Sequence, residues 1–333
     1  MSAIRVDDDL IHYEVLGRGR PVILLHSWIG SWRYWIPTMQ KLQLKYRVYA
    51  VDLYGYGDSG KNPQKYTLEH QVQLLVDFAE HLGITKTALI GHGLGAMVAV
   101  EFARRYKDRV PRMLIVNAPL FDPGDLDQRA QLMPHIMAPG SSLRNRSGGP
   151  DATVMSMSEA MRIALAEAAR SRSSGNEPAQ KPSVAPPAAN GDNPLKPIVV
   201  DNAPEDLLAK CFKRSEPEFE TLQPAVAKAD PKAMKFSAAT FDSGQILDNL
   251  RTLPMPIVVV HGVNDMLIPL PDEQVWRYLT TDKGDLLLPV PMAGVRHFPM
   301  MEHERFLQLV SDFLDAPDVS KLEIKERWMR RSH

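Results

Sequence analysis

Residues 87–97 read TALIGHGLGAM, a short apolar run that leads into three glycines spaced two residues apart. Glycine adopts left-handed and sharply bent backbone more readily than other residues, so this spacing predicts a tight turn. Thr87–Ile90 before the glycines is typical of a buried strand, and Met97–Tyr106 after them is typical of a helix. The segment is therefore predicted to be a strand, a tight turn and a helix.

Further short apolar runs recur along the chain with helical stretches between them. They are apolar on both faces rather than alternating, which is typical of parallel strands buried on both sides. Thr67–Leu82 has a Thr cap, a helix-period apolar stripe and a Gly stop. This alternation predicts an α/β fold with a doubly wound, mostly parallel sheet. The predicted strands are Pro21–His26, Arg47–Val51, Thr87–Ile90, Met113–Val116, Pro256–His261 and Leu286–Val290, after an antiparallel edge hairpin within residues 4–15.

The alternation of strands and helices stops in the middle of the chain. Residues 171–197 (SRSSGNEPAQKPSVAPPAANGDNPLKP) contain almost no large apolar side chains, so burial cannot offset the entropy lost on ordering them. We expect a disordered linker there. The sheet pattern resumes at Pro256, which predicts a core of residues 1–120 and 245–333 that is interrupted by a helical cap at residues 121–244.

Charge and hydropathy exclude several classes of protein. The 333 residues contain 39 Lys and Arg against 40 Asp and Glu, so the basic field of a nucleic-acid binder is missing. The sequence has no run of about 18 apolar residues, as a transmembrane helix requires, and the single Cys211 cannot form an internal disulfide. We expect a soluble, cytoplasmic protein. Val319–His333 is predicted to be a basic terminal helix that leans on its own domain or docks on a partner or membrane surface.

Short motifs follow four other predicted strands. HSW at residues 26–28 ends one strand, and DLYGYGDS at residues 52–59 follows the next. HGVND at residues 261–265 ends a later strand, and GVRHF at residues 294–298 follows the last one. Together with the glycine turn at residues 91–95, this ordered set resembles the α/β-hydrolases. It is most similar to the esterases, lipases, dehalogenases and epoxide hydrolases that carry a cap after the sixth strand.

The resemblance implies a role for each motif. In that family the elbow G-x-S-x-G places a nucleophilic serine on a strained turn between strand and helix, and the matching position here is Gly93. Asp265 matches the acid that orients the histidine, and His297 matches the general base. The backbone amides of Trp28 and Leu94 match the donors of the oxyanion hole.

Three more residues flank the expected pocket. His26 and His92 occupy positions that are commonly structural in this family. Ser27 stands where family members usually carry glycine, and its hydroxyl is weighed as a substitute nucleophile, although it is not on the elbow. The pattern implies neither a metal nor a cofactor.

Glycine at the elbow leaves three hypotheses about function. Gly93 carries no hydroxyl, thiol or carboxylate, so the leading hypothesis is a pseudoenzyme with a degenerate catalytic triad that binds a small apolar ligand or a protein partner. In the second, His297 and Asp265 activate a water in the vacated space, or abstract a proton from a small apolar ester-like substrate. In the third, a natural serine at position 93 has been replaced.

Overall fold

The protein contains one eight-stranded sheet in a computed structural model that describes residues 2–132, 193–281, 283 and 286–317. The strand order is β1-β2-β4-β3-β5-β6-β7-β8, with β1 and β2 antiparallel to their neighbours and all other pairs parallel. The strands are β1 (Ser2–Val6), β2 (Asp9–Leu16), β3 (Arg20–Leu25), β4 (Tyr46–Val51), β5 (Ala88–His92), β6 (Met113–Val116), β7 (Ile257–Gly262) and β8 (Leu287–Met292).

Helices cover the sheet and connect the parallel strands. They are α1 (Ile36–Leu42), α2 (Leu68–His81), α3 (Leu94–Arg105), α4 (Leu126–Leu132), α5 (Pro204–Cys211), α6 (Pro217–Val226), α7 (Pro231–Ala238), α8 (Ser243–Thr252), α9 (Glu273–Thr280), α10 (Pro299–Glu302) and α11 (Glu304–Asp315). Helices α2, α3, α8 and α9 pack side by side in that order, and α1 packs against α11. The predicted fold class is therefore confirmed.

The central strands owe their composition to burial on both faces. Consecutive residues of β3, from Val22 to Leu25, have no exposed surface, and the same is true of Ile257 to Val260 in β7. A strand covered by helices on both sides has no polar face, so continuous apolar runs form there. Helix α2 begins as predicted, because the Thr67 hydroxyl accepts a hydrogen bond from the His70 amide at its first turn.

The chain between β6 and β7 contains the cap. Its described part comprises α4, a short π-helix at Lys196–Val200, and the helices α5, α6 and α7. The prediction of a disordered linker is wrong for residues 193–197. Leu195 is fully buried, and the Asn193 side-chain amide donates to the Ala238 carbonyl at 2.6 Å. Burial of this apolar side chain and the hydrogen bonds of Asn193 together hold the end of the tract.

Several predictions fall outside the described residues. They include the rest of the linker at residues 171–192 and the whole basic terminal helix predicted at Val319–His333. Among the helices that the structure does describe, none is long and apolar enough to cross a membrane.

Candidate active site

The glycine turn lies between β5 and α3, as its spacing predicts. Gly93 has φ +51° and ψ −108°, a backbone conformation that side-chain-bearing residues rarely adopt. Gly95 is required by packing, since a Cβ atom there would lie 2.3 Å from the Leu25 carbonyl oxygen. The strand, sharp turn and helix of a nucleophile elbow are all present, without a nucleophile at its apex.

Asp265 and His297, the predicted acid and base, lie in contact with each other. The Asp265 Oδ2 atom lies 2.7 Å from His297 Nδ1, and both side chains are buried. The other carboxylate oxygen, Oδ1, accepts hydrogen bonds from the backbone amides of Leu267 and Ile268 at 2.8 and 3.2 Å. These bonds anchor the carboxylate and leave His297 Nε2 as the free end of the pair.

The Ser27 hydroxyl lies at that free end. Its Oγ atom is 3.3 Å from His297 Nε2, and Ser27 has no exposed surface. A Cβ atom built on Gly93 would lie only 2.2 Å from this oxygen. Ser27 Oγ therefore occupies the space that a side chain at the elbow would need. The structure brings Ser27, His297 and Asp265 together in a hydrogen-bonded row.

The two predicted oxyanion donors also flank this row. Among the described residues, the backbone amides of Trp28 and Leu94 donate no hydrogen bond to another backbone group. Leu94 is the first residue of α3, so its amide belongs to the unpaired N–H groups at a helix N-terminus. Trp28 directly follows Ser27, and its indole ring lies 3.3 Å from the Cβ position of residue 93. Both amides are available to an anionic oxygen.

The His26 side chain is hydrogen-bonded to the Ser27 backbone. Its Nδ1 atom donates to the Ser27 carbonyl at 2.8 Å, and its Nε2 atom accepts from the Leu53 amide at 2.9 Å. These partners require the neutral imidazole, and burial lowers the pKa of His26 in agreement. The expectation of a structural role is consistent with this arrangement.

His92 belongs to the glycine turn, and its ring lies beside that of His297. Its ring centroid is 4.5 Å from that of His297, and its Nδ1 atom is 3.0 Å from the Tyr34 hydroxyl. Burial, reinforced by the neighbouring His297, lowers the pKa of His92 well below its ordinary value. His92 is therefore neutral at physiological pH.

Asn117 is a site residue that the sequence motifs did not reveal. It follows β6, and its side-chain amide donates to the His297 carbonyl at 2.7 Å while its Oδ1 atom accepts from the Gly262 amide at 2.8 Å. Its φ of +43° is a conformation that Asn tolerates better than most residues. Asn117 therefore ties the loop of the base to the strand that precedes the acid.

Cap residues meet the core beside His297. The Arg296 guanidinium bonds to Glu216 at 3.0 Å and to the Cys211 carbonyl at 3.2 Å, and it lies over the Phe212 ring at 4.3 Å. On the core side the same guanidinium bonds to Glu302 at 3.0 Å. With His297 only 1% exposed, the site is closed in this structure.

A group of possible metal ligands comprises His12, Asp52 and Asp58, whose ligand atoms lie within 4.8 Å of one another. Each group already has a protein partner. His12 Nδ1 is 2.9 Å from Asp52 Oδ2, and Lys228 pairs with the Asp58 carboxylate. The cluster is thus accounted for by hydrogen bonds and an ion pair between the core and the cap.

An α/β sheet of this order, with an elbow after β5, an acid after β7 and a histidine after β8, defines the α/β-hydrolase class. Residues 20–137 match the family described as alpha/beta hydrolase fold. A thermophilic esterase of Thermogutta terrifontis has a similar structure, with a TM-score of 0.59 and 22% identity over 92% of this chain and 93% of that one. The chain therefore has the α/β-hydrolase fold.

Individual relatives match only about a third of this chain in sequence. A soluble epoxide hydrolase of Corynebacterium sp. (strain C12) is 36% identical over 107 residues, which are 32% of this chain and 37% of that protein. Epoxide hydrolase 4 of Mus musculus is 33% identical over 122 residues, 35% of this chain and 34% of the mouse protein. The matched region thus spans little more than a third of either relative.

Proposed function

We propose that the protein is a serine hydrolase of carbonyl substrates, with Ser27 as nucleophile, His297 as general base and Asp265 as the residue that orients His297. One observation carries this proposal: Ser27 Oγ lies 3.3 Å from His297 Nε2, in the space that a side chain at position 93 would need. A nucleophile, a base in contact with it and a carboxylate behind the base are the parts that acyl transfer requires.

The same atoms support a complete reaction. Ser27 Oγ attacks the carbonyl carbon of an ester while its proton passes to His297 Nε2, and the protonated histidine then donates that proton to the departing alcohol. A water, deprotonated by His297, hydrolyses the acyl-enzyme and regenerates the serine. Asp265 keeps His297 in the tautomer that leaves Nε2 free to accept.

The oxyanion hole supports either position of the nucleophile. With a serine on the elbow, the amide after the nucleophile belongs to Leu94 and the second amide to Trp28. With Ser27 as nucleophile, these two amides exchange roles, because Trp28 now follows the nucleophile. Both N–H groups are unpaired among the described residues, as donors reserved for a developing negative charge must be.

The alternatives from the sequence are less well supported by this geometry. The water hypothesis needs vacant space at Gly93, and the Ser27 hydroxyl fills that space. The ester-forming chemistry of epoxide hydrolases needs a carboxylate nucleophile, which neither position 27 nor position 93 carries. The non-hydrolytic hypothesis stays a prediction, and so do the protein partner and the cytoplasmic location.

Aromatic rings around the site favour a small apolar substrate. The Phe298 ring centroid lies 5.1 Å from that of His297, and the Trp28 indole borders the elbow. Short acyl esters are therefore the first substrates to test.

Hydrolysis of p-nitrophenyl acetate and butyrate tests the proposal. We expect turnover of about 1 s⁻¹ or more, a typical enzyme rate, and a loss of at least about 10³-fold in Ser27→Ala. Ser237→Ala is the matched control: Ser237 is as buried as Ser27, but its hydroxyl bonds to a carbonyl of its own helix. Equal turnover in Ser27→Ala and the parent protein would refute the proposal.

A further inference from the structure

A nucleophile outside the elbow needs another means of orientation. On an elbow, the strained turn itself directs the side chain, whereas Ser27 lies in the loop after β3. Both backbone polar groups of Ser27 are instead held by side chains: His26 Nδ1 donates to its carbonyl, and its amide donates to the Tyr34 hydroxyl at 2.7 Å. The serine is thus fixed on both sides of its Cα atom.

The Tyr34 hydroxyl has one further partner, His92 Nδ1, at 3.0 Å. Because the phenol oxygen accepts from the Ser27 amide and its hydrogen has no other acceptor among the described residues, that hydrogen is donated to Nδ1. A directed chain results, from the Ser27 N–H through the Tyr34 O–H to the His92 ring.

Burial keeps this chain neutral. Tyr34 and His92 are 2% and 0% exposed, and desolvation raises the pKa of Tyr34 while it lowers that of His92. Neither group changes its charge near neutral pH, so the chain orients Ser27 without taking protons from the reaction.

The chain also links Ser27 to the two other parts of the site. The His92 ring is adjacent to Gly93 and 4.5 Å from His297, and the Tyr34 ring packs edge-on against Phe298 at 5.3 Å. We propose that Tyr34 and His92 form a positioning pair that holds the Ser27 hydroxyl within hydrogen-bonding distance of His297. This inference rests on the proposed function.

Removal of the Tyr34 hydroxyl is the first test. We expect Tyr34→Phe to lower kcat for p-nitrophenyl butyrate by about 10- to 100-fold, as a small misplacement of a reacting atom does, with KM changed less than twofold. The rate at which a fluorophosphonate labels Ser27 should fall by the same factor. Tyr46→Phe is the control and should leave both rates unchanged. It removes a hydroxyl that bonds to Asp315 at the first residue of β4.

Replacement of His92 separates positioning from packing. We expect His92→Gln to keep most of the activity, since its amide oxygen can accept from the Tyr34 hydroxyl, and His92→Leu to lose about as much as Tyr34→Phe. The double variant Tyr34→Phe/His92→Leu should be no worse than Tyr34→Phe alone, because both changes break one chain.

The outcomes distinguish this inference from the proposed function. If Ser27→Ala abolishes labelling while Tyr34→Phe labels as fast as the parent protein, the positioning pair is refuted and the proposed function stands. The pair is likewise refuted if Tyr34→Phe raises KM and leaves kcat unchanged, or if His92→Gln is as impaired as His92→Leu. If the parent protein is not labelled at all, both fail together.

Discussion

Position 93 and the Ser27 side chain require the same small volume. The separation of 2.2 Å between the Ser27 oxygen and the Cβ position of residue 93 is far below any normal contact, so a side chain at one position displaces the other. Glycine also removes the backbone strain of about 1–3 kcal/mol that other residues incur in such conformations. An elbow glycine and a serine in the neighbouring loop are thus a compatible pair.

Gly93→Ala tests this compatibility. The added methyl group should rotate the Ser27 hydroxyl away from His297 and lower esterase activity about 10-fold or more. Unfolding in urea should show a loss of about 1–3 kcal/mol. Gly83→Ala is the control, because Gly83 also has a positive φ but nothing lies within 4 Å of its Cβ position. Equal activity in Gly93→Ala and Gly83→Ala would contradict the assignment of Ser27.

Single residues were predictable to different degrees. Asp265, His297 and the glycine turn follow from the spacing of motifs relative to strands, since strand ends of a parallel sheet meet at one edge. The sequence offered Ser27 only as a substitute nucleophile off the elbow, because its proposed role depends on a contact between residues 270 positions apart. The Ser27 hydroxyl indicates a nucleophile only when the structure shows that it lies beside the glycine at the elbow.

At the scale of elements, one residue, Asn117, connects the ends of β6 and β7 with the loop after β8. Asn117 bonds to the Gly262 amide and to the His297 carbonyl and is fully buried. Three separate chain segments therefore depend on one side chain for the register of acid and base. No sequence motif marks Asn117, because a lone Asn after a strand is also typical of an ordinary turn.

Asn117→Ala should uncouple these loops. It leaves two buried backbone groups without partners, which we expect to cost about 2–4 kcal/mol in urea unfolding, and it should lower kcat through misplacement of His297. Asn249→Ala, which breaks a longer 3.3 Å bond to Glu101 in a half-buried position, should cost less than about 1 kcal/mol. Similar stability losses in the two variants would refute the bridging role.

At the scale of the whole molecule, the described residues include three fully buried histidines that cannot charge easily. His26, His92 and His261 have no exposed surface, and desolvation lowers the pKa of each from 6.5. A lowered pKa in the folded state gives stability that is complete above pH 6.5 and is lost as the pH falls. Each histidine contributes up to about 1.4 kcal/mol per pH unit, so three contribute up to about 4 kcal/mol per pH unit.

Acid should therefore destabilise the protein well before its carboxylates titrate. We expect the free energy of unfolding in urea to decline steeply between pH 6.5 and pH 5. His12 has the opposite sign: its Asp52 partner offsets desolvation and raises its pKa, so its contribution is lost only as the pH rises above 6.5. A constant free energy of unfolding from pH 7 to pH 5 would contradict the neutral histidines.

The core of the molecule was predictable from the sequence strand by strand, whereas the cap was predictable only as a helical insertion. Continuous apolar runs predict β3 to β8, because strands that are buried on both faces of a doubly wound sheet are apolar at every position. A helix cap predicts the start of α2. The cap gives no comparable signal, since its short helices are ordered by packing and by ion pairs such as Arg296 with Glu216. Leu195 and Asn193 anchor the end of a Pro-rich tract through contacts with residues distant in sequence, which composition does not predict.

The most direct test of the central claim is to map where a fluorophosphonate attaches to the protein. The protein is treated with the probe, digested and analysed by mass spectrometry, alongside Ser27→Ala and Ser237→Ala. We predict one phosphonylated peptide, the one that contains Ser27, lost in Ser27→Ala and retained in Ser237→Ala. An unlabelled parent protein, or labelling at another serine that persists in Ser27→Ala, would contradict the assignment of Ser27 as the nucleophile.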